Sequence, residues 1–287
     1  MRLKFTKMQG AGNDYIYVDG FKEHVPDEKK PALARSLSDR HFGIGGDGMI
    51  FINPSNKADF EMEMYNADGT RGEMCGNGIR CVAKYVFDNK LTSKECFDIE
   101  SFGKVKKISV YADEGKAKKI KVDMGSPILG SKDIPVNVPC DKAIDIPFEC
   151  GPYKCRMTCV SMGNPHAVIL MDSLNIDTDI EDMDIAHIGP YFENDEHFPK
   201  RVNTEFVKVI DRDNIRMRVW ERGTGETLAC GTGCCASAVA CILSGSVNDK
   251  LNVHVLGGTI EIFWDRESNH VYMSGPAEKV FDGEVEI

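Results

Sequence analysis

Alternation of apolar and polar side chains predicts strands at 59–65, 105–111, 216–220 and 259–264. Helical periodicity is scarcer. Ile79, Val82, Ala83, Val86 and Phe87 fall at i, i+3, i+4, i+7 and i+8, one face of a helix, with Arg80 and Lys84 on the other face. The run 234–243 is apolar or small all round, so this second helix belongs inside the protein rather than on its rim. Strands wrapped around a central helix would satisfy that burial. The expected fold class is α/β of the α+β type, with mostly antiparallel sheets.

The pattern repeats. Gly12-Asn13-Asp14 resembles Gly163-Asn164-Pro165-His166, and the two asparagines lie 151 positions apart (164 − 13). Cys75 and Cys230 lie 155 apart (230 − 75). Each cysteine precedes a helical run, is followed by two closely spaced glycines, and has an aromatic residue, Tyr65 or Trp220, ten positions before it (75 − 65, 230 − 220). A shared offset of half the chain implies two pseudo-symmetric domains. We expect 1–122 plus 276–287 to form the domain that carries Cys75, and 123–275 the one that carries Cys230. The linker is expected near Gly115 to Gly130. The break at Gly275-Pro276-Ala277 would return the tail to the first domain.

Composition narrows the function. A chain of 287 residues favours two domains over one. A formal charge of −10 argues against a nucleic-acid partner, which calls for a basic patch. The opening Met1-Arg2-Leu3-Lys4-Phe5-Thr6-Lys7 has no apolar stretch behind it, unlike a secretory signal. Ala167 to Met171 is among the longest apolar runs, far short of a membrane span. A cytoplasmic protein without a membrane partner is the expectation. Eleven cysteines in so long a chain are not a secreted disulfide framework, and without a CxxC pair they do not suggest zinc. Cys81, Cys235 and Cys241, inside helical runs, read as small core residues.

Cys75 and Cys230 read differently. Each stands just before a helix, where free backbone N–H groups favour negative charge. That setting is expected to lower both thiol pKa values. The same N–H groups can hold a substrate carboxylate and stabilise the charge that enters it when an α-proton leaves. Two thiols in matched settings suit a reaction that treats both faces of one carbon alike, namely racemisation or epimerisation by one acid and one base.

Seven motifs in order carry a family resemblance: Met8-Gln9-Gly10-Ala11-Gly12-Asn13-Asp14, Asn66-Ala67-Asp68-Gly69, Cys75-Gly76-Asn77-Gly78, Gly163-Asn164-Pro165-His166, Val202-Asn203-Thr204-Glu205, Glu221-Arg222-Gly223 and Ala229-Cys230-Gly231-Thr232-Gly233. The chain resembles the diaminopimelate epimerases over nearly its whole length. The resemblance implies interconversion of LL- and meso-2,6-diaminopimelate on the route to lysine and cell-wall peptide. It implies no cofactor and no metal, a homodimer, and two domains with the active site in the cleft between them. Cys75 and Cys230 are then the acid/base pair. Asn13, Asn66, Asn164, Asn203 and Arg222 match the family's substrate contacts, Gly76, Asn77, Gly231 and Thr232 its carboxylate-holding positions, and Glu221 an acceptor near the reacting ammonium. His166 is a further possible site residue.

One departure stands out. Gly48, in His41-Phe42-Gly43-Ile44-Gly45-Gly46-Asp47-Gly48, occupies a position where some members have a substrate-contacting glutamine. The alternative function is a proline or hydroxyproline racemase of the same fold, whose first motif typically has His after Cys-Gly, where this chain has Asn77. A thiol-redox protein would explain the cysteines but neither the asparagines nor Arg222. A binding module would not need both thiols.

Overall fold

The computed structural model describes residues 2–287. Contacts divide the chain into two compact units, Met1–Asp123 with Ser274–Ile287, and Met124–Met273. Each consists mainly of strands packed around one buried helix.

In the first unit, β1 (Arg2–Gly10) and β2 (Asn13–Asp19) form an antiparallel hairpin. Its turn residues Ala11 and Gly12 both have positive φ, 53° and 82°, a backbone that fits the twist of paired strands. Helix α1 (Lys30–Ser38) follows, then β3 (Gly48–Asn53) parallel to β2, and β4 (Phe60–Asn66) antiparallel to β3. The short β5 (Arg71–Gly72) pairs with β4 and leads into α2 (Gly76–Asp88). Beyond it, β6 (Cys96–Ser101) runs parallel to β4, and β7 (Lys104–Asp113) and β8 (Lys116–Gly125) continue as an antiparallel meander.

The second unit uses the same order. A hairpin of β9 (Ile146–Cys150) and β10 (Tyr153–Ser161) comes first, then β11 (Pro165–Leu170) antiparallel to β10. Helix α3 (Ile185–Glu193) follows, then β12 (Asn203–Asp211) parallel to β11 and β13 (Asn214–Glu221) antiparallel to β12. The short β14 (Gly225–Thr227) pairs with β13 and leads into α4 (Gly231–Leu243). β15 (Lys250–Val255) is parallel to β13, and β16 (Gly258–Asp265) antiparallel to β15. β17 (His270–Gly275) precedes β18 (Glu278–Glu286), which pairs with β1 in the first unit. Pair by pair, β2-β3-β4-β5-α2-β6-β7 and β11-β12-β13-β14-α4-β15-β16 have the same sense, so the sequence repeat is also a topological one.

The four strands expected from alternation are all present, as β4, β7, β13 and β16, and both expected helices are longer by their glycine-rich first turns. The polar face assigned to the first helix is not solvent-facing. Arg80 is completely buried, and its guanidinium bonds Gly76 O at 3.2 Å, Asn77 Oδ1 at 2.9 Å and Pro276 O at 3.2 Å. Lys84 is mostly buried, ion-paired to Asp88 at 3.1 Å and bonded to Ala117 O at 2.7 Å. A helix enclosed by strands must satisfy its polar side chains internally.

Helices α1 and α3 give weak local signals. Gly189-Pro190 inside α3 would normally mark a break. Here Gly189 lies against the Trp220 indole, where an added Cβ would come within 2.4 Å of the ring. Among the described residues, no helix is long and apolar enough to cross a membrane.

Candidate active site

Cys75 is the N-cap of α2. Its sulfur accepts from the Gly78 N–H at 3.2 Å and its thiol donates to Asn13 Oδ1 at 3.0 Å. Asn13 in turn donates through Nδ2 to Asp47 at 2.6 Å. Asp14 takes Lys7 at 2.6 Å and Arg40 at 2.7 Å, and Arg40 also reaches Asp47 at 2.9 Å. The lysine and arginine hold the Asp14 carboxyl below its usual range against the opposing effect of burial. Asn13 is thus fixed between a thiol and a buttressed carboxylate. Burial, reinforced by Cys75 and Asp47, pushes the Tyr15 phenol well up, so this neighbour stays neutral.

Asn77 is buried and its side-chain oxygen accepts from Arg80, so the group it brings to an anion is its backbone N–H, which lies with that of Gly76 in the first turn of α2. Asn66 ends β4 opposite Gly48, and its amide donates to Thr70 Oγ1 at 3.0 Å.

Gly48 has no space for a side chain. Its φ is +155°, and an added Cβ would sit 2.1 Å from Tyr65 O and 2.9 Å from the Tyr15 ring. Gly48→Gln is therefore expected to lower stability by at least about 2 kcal/mol through backbone strain and overpacking, without improving substrate binding. Thermal unfolding and KM of the variant check this.

In the second unit Cys230 is the N-cap of α4. Its sulfur accepts from the Gly233 N–H at 3.4 Å and lies 3.5 Å from Thr232 Oγ1. Gly231 and Thr232 form the first turn. The expected lowering of this thiol pKa is overturned. Burial pushes the Cys230 thiol well above its ordinary range, Glu221 and Glu205 push it further, and the Thr232 and Gly233 bonds do not compensate. Capping cannot outweigh desolvation beside two carboxylates.

Glu221 accepts from Thr227 Oγ1. Arg222 is exposed and tethered by one bond to Lys200 O at 3.0 Å, leaving most of its fork to solvent. Asn203 is buried, donates to Pro165 O at 2.9 Å and accepts from the Arg222 N–H at 3.0 Å, so it shapes the turn that presents Arg222. Asn164 is half-buried, its Oδ1 3.1 Å from His166 Nε2. His166 is fully buried, its Nδ1 2.7 Å from Glu205 Oε1.

Against these geometries stand the matches with known proteins. The diaminopimelate epimerase family model matches residues 5–130 and 158–280. Diaminopimelate epimerases of Agathobacter rectalis and Acetivibrio thermocellus are 50% identical over 293 residues and 52% identical over 287 residues, covering 99% of this chain and 100% and 99% of theirs. The chain belongs to the diaminopimelate epimerase family. This is a family of isomerases. The family's fold extends to more distant structures: a probable proline racemase from Agrobacterium radiobacter (TM-score 0.72, 11% identity, 99% and 93% of the two chains) and a Bacillus anthracis phenazine biosynthesis protein of the PhzF family (TM-score 0.69, 16% identity, 100% of both chains). At such identities they bear on the fold alone.

Several supports of the candidate site carry little sequence signal. Glu193, on α3, accepts from Trp220 Nε1 and Gly223 N, both at 2.7 Å, and from Arg201 at 2.8 Å, fixing the turn around Glu221 and Arg222. Asp47 belongs to the glycine loop 41–48 and Glu205 to the segment 202–205, but only folding brings them to Asn13 and His166. Among the described residues, no group of three or more His, Cys, Asp or Glu side chains is placed to hold a metal ion.

Proposed function

We propose that this protein epimerises LL-2,6-diaminopimelate to meso-2,6-diaminopimelate without a cofactor, supplying lysine and peptidoglycan precursors. The supporting observation is the shared N-cap geometry of Cys75 and Cys230, each bonded by the N–H three residues on, in a chain half identical to curated epimerases over nearly its full length. One thiolate removes the α-proton and the other thiol returns a proton to the opposite face. The reacting carboxylate is held by N–H groups of Gly76, Asn77, Gly231 and Thr232, which stabilise the charge that develops in it. Asn13, Asn66, Asn164 and Asn203 supply amide donors and acceptors for the ammonium and carboxylate groups, and Glu221 accepts from the reacting ammonium. His166 acts beside Asn164. Arg222 grips the non-reacting carboxylate. The protein works in the cytoplasm as a homodimer, without nucleic-acid or membrane partners.

Proton NMR of LL-diaminopimelate in deuterium oxide, with L-proline in parallel, tests the assignment. Deuterium at the α-position with meso product, and silent proline, is expected. Exchange with proline alone would transfer the assignment to the racemases. Arg222→Ala is expected to raise KM by roughly 10²-fold, the loss of a charge-assisted pair of about 3 kcal/mol. An unchanged KM would remove Arg222 from the binding site.

A further inference from the structure

The His166 ring lies between two oxygens. Nδ1 is 2.7 Å from Glu205 Oε1 and Nε2 is 3.1 Å from Asn164 Oδ1. A carboxylate and an amide oxygen both accept, so this arrangement calls for a donor on both ring nitrogens. Its partner is built for a charge. Glu205 is fully buried on β12, and its carboxylate faces the first turn of α4, where a methyl group added at Gly233 would come within 2.6 Å of Oε1. The positive end of that helix favours an anion. Glu205 Oε2 has no hydrogen-bond partner, so the His166 ring and the helix end are the groups that face the buried carboxyl. The other ionisable groups acting here are Cys230, whose thiol feels both Glu221 and Glu205, Cys159, whose thiol also feels Glu205, and Glu221.

We propose that Glu205 is a positioning residue which, through His166, fixes the end of the Asn164 amide that faces the ligand. With His166 doubly protonated, Asn164 turns its oxygen to the ring and its NH2 outward. That outward edge donates and recognises a carboxylate. A neutral ring, protonated only at Nδ1 toward Glu205, would draw the NH2 inward and turn the oxygen out, an edge suited to an ammonium. The buried pair therefore sets the polarity of a half-exposed contact. The ligand is the amino acid of the proposed function, on which this inference rests for its substrate.

The test is nitrogen-15 NMR of the histidine rings of the whole, ligand-free protein at neutral pH, with His166 assigned by its loss in His166→Gln. Two protonated ring nitrogens are expected. In Glu205→Gln the ring should become a single neutral tautomer, and KM for diaminopimelate should rise at least tenfold with a smaller change in kcat. A neutral ring in the unmodified protein overturns the proposal, even where Glu205→Gln fails to fold. A folded Glu205→Gln with an unchanged ring spectrum or an unchanged KM also overturns it. An imidazolium in a protein that does not turn over diaminopimelate sustains the positioning of Asn164 and sinks the substrate assignment instead.

Discussion

Cys75→Ser and Cys230→Ser are each expected to lower epimerisation by about 10²–10⁴-fold, the usual contribution of one acid or base, with little change in folding. Serine can keep the N-cap bonds to Gly78 and Gly233, so the helices lose little. What is lost is a thiol, a far stronger acid than the serine hydroxyl that replaces it. Both variants should fail in both directions, because the base in one direction is the acid in the other. The pH profile follows from the same pair. The active free enzyme carries one proton across two thiols, and microscopic reversibility requires one bell-shaped profile of kcat/KM for both directions. Burial and the carboxylates of Glu221 and Glu205 hold the proton on Cys230, so the descending limb should lie above the ordinary cysteine range. Near-normal turnover in either serine variant, or profiles that differ between directions, would remove the two-base mechanism.

The resting character of Cys230 shows where local sequence stops being informative. An N-cap cysteine ahead of a glycine-rich turn predicts helix geometry, and α2 and α4 both begin one residue after their cysteines. It does not predict the thiol's field, which depends on Glu205 and Glu221, brought from β12 and β13. Strand alternation was legible because a strand half-buried by its sheet repeats every two residues, as in β13. Helix α3 was not legible, since Gly189 and Pro190 look like a turn and only the Trp220 indole explains the glycine.

The asparagines divide in the same way. Asn13, Asn66 and Asn164 stand at strand or turn ends and are half-buried. Asn203 is buried and holds Pro165 and the Arg222 backbone, a role visible only in the folded chain. Glu193 is the extreme case. It lies outside every motif, yet its carboxylate joins Trp220, Gly223 and Arg201 and sets the presentation of Glu221 and Arg222.

Arg80→Met is expected to cost at least about 3 kcal/mol, because it leaves several buried acceptors without their donor at about 1–3 kcal/mol each. For a domain of this size that corresponds to a fall in Tm of roughly 6–12 °C. An arginine on a polar helix face, as simple periodicity suggests, would change stability by only about 0.5 kcal/mol. The difference arises because the strands enclose α2 and leave its polar side chain no water. The guanidinium answers Gly76 O and Asn77 Oδ1 at the helix start and Pro276 O in the returning tail. It thereby ties the tail to the turn that follows Cys75. Arg80→Lys should recover little, since one ammonium cannot span the three acceptors that a planar fork reaches. Activity should fall in both variants even below their melting temperatures, through kcat more than KM, as the Cys75 turn loosens. Thermal unfolding and steady-state kinetics on the same samples separate the two effects. A Tm within 2 °C of the parent protein's, roughly 0.5–1 kcal/mol, would show that the buried fork is not what closes this end of the helix.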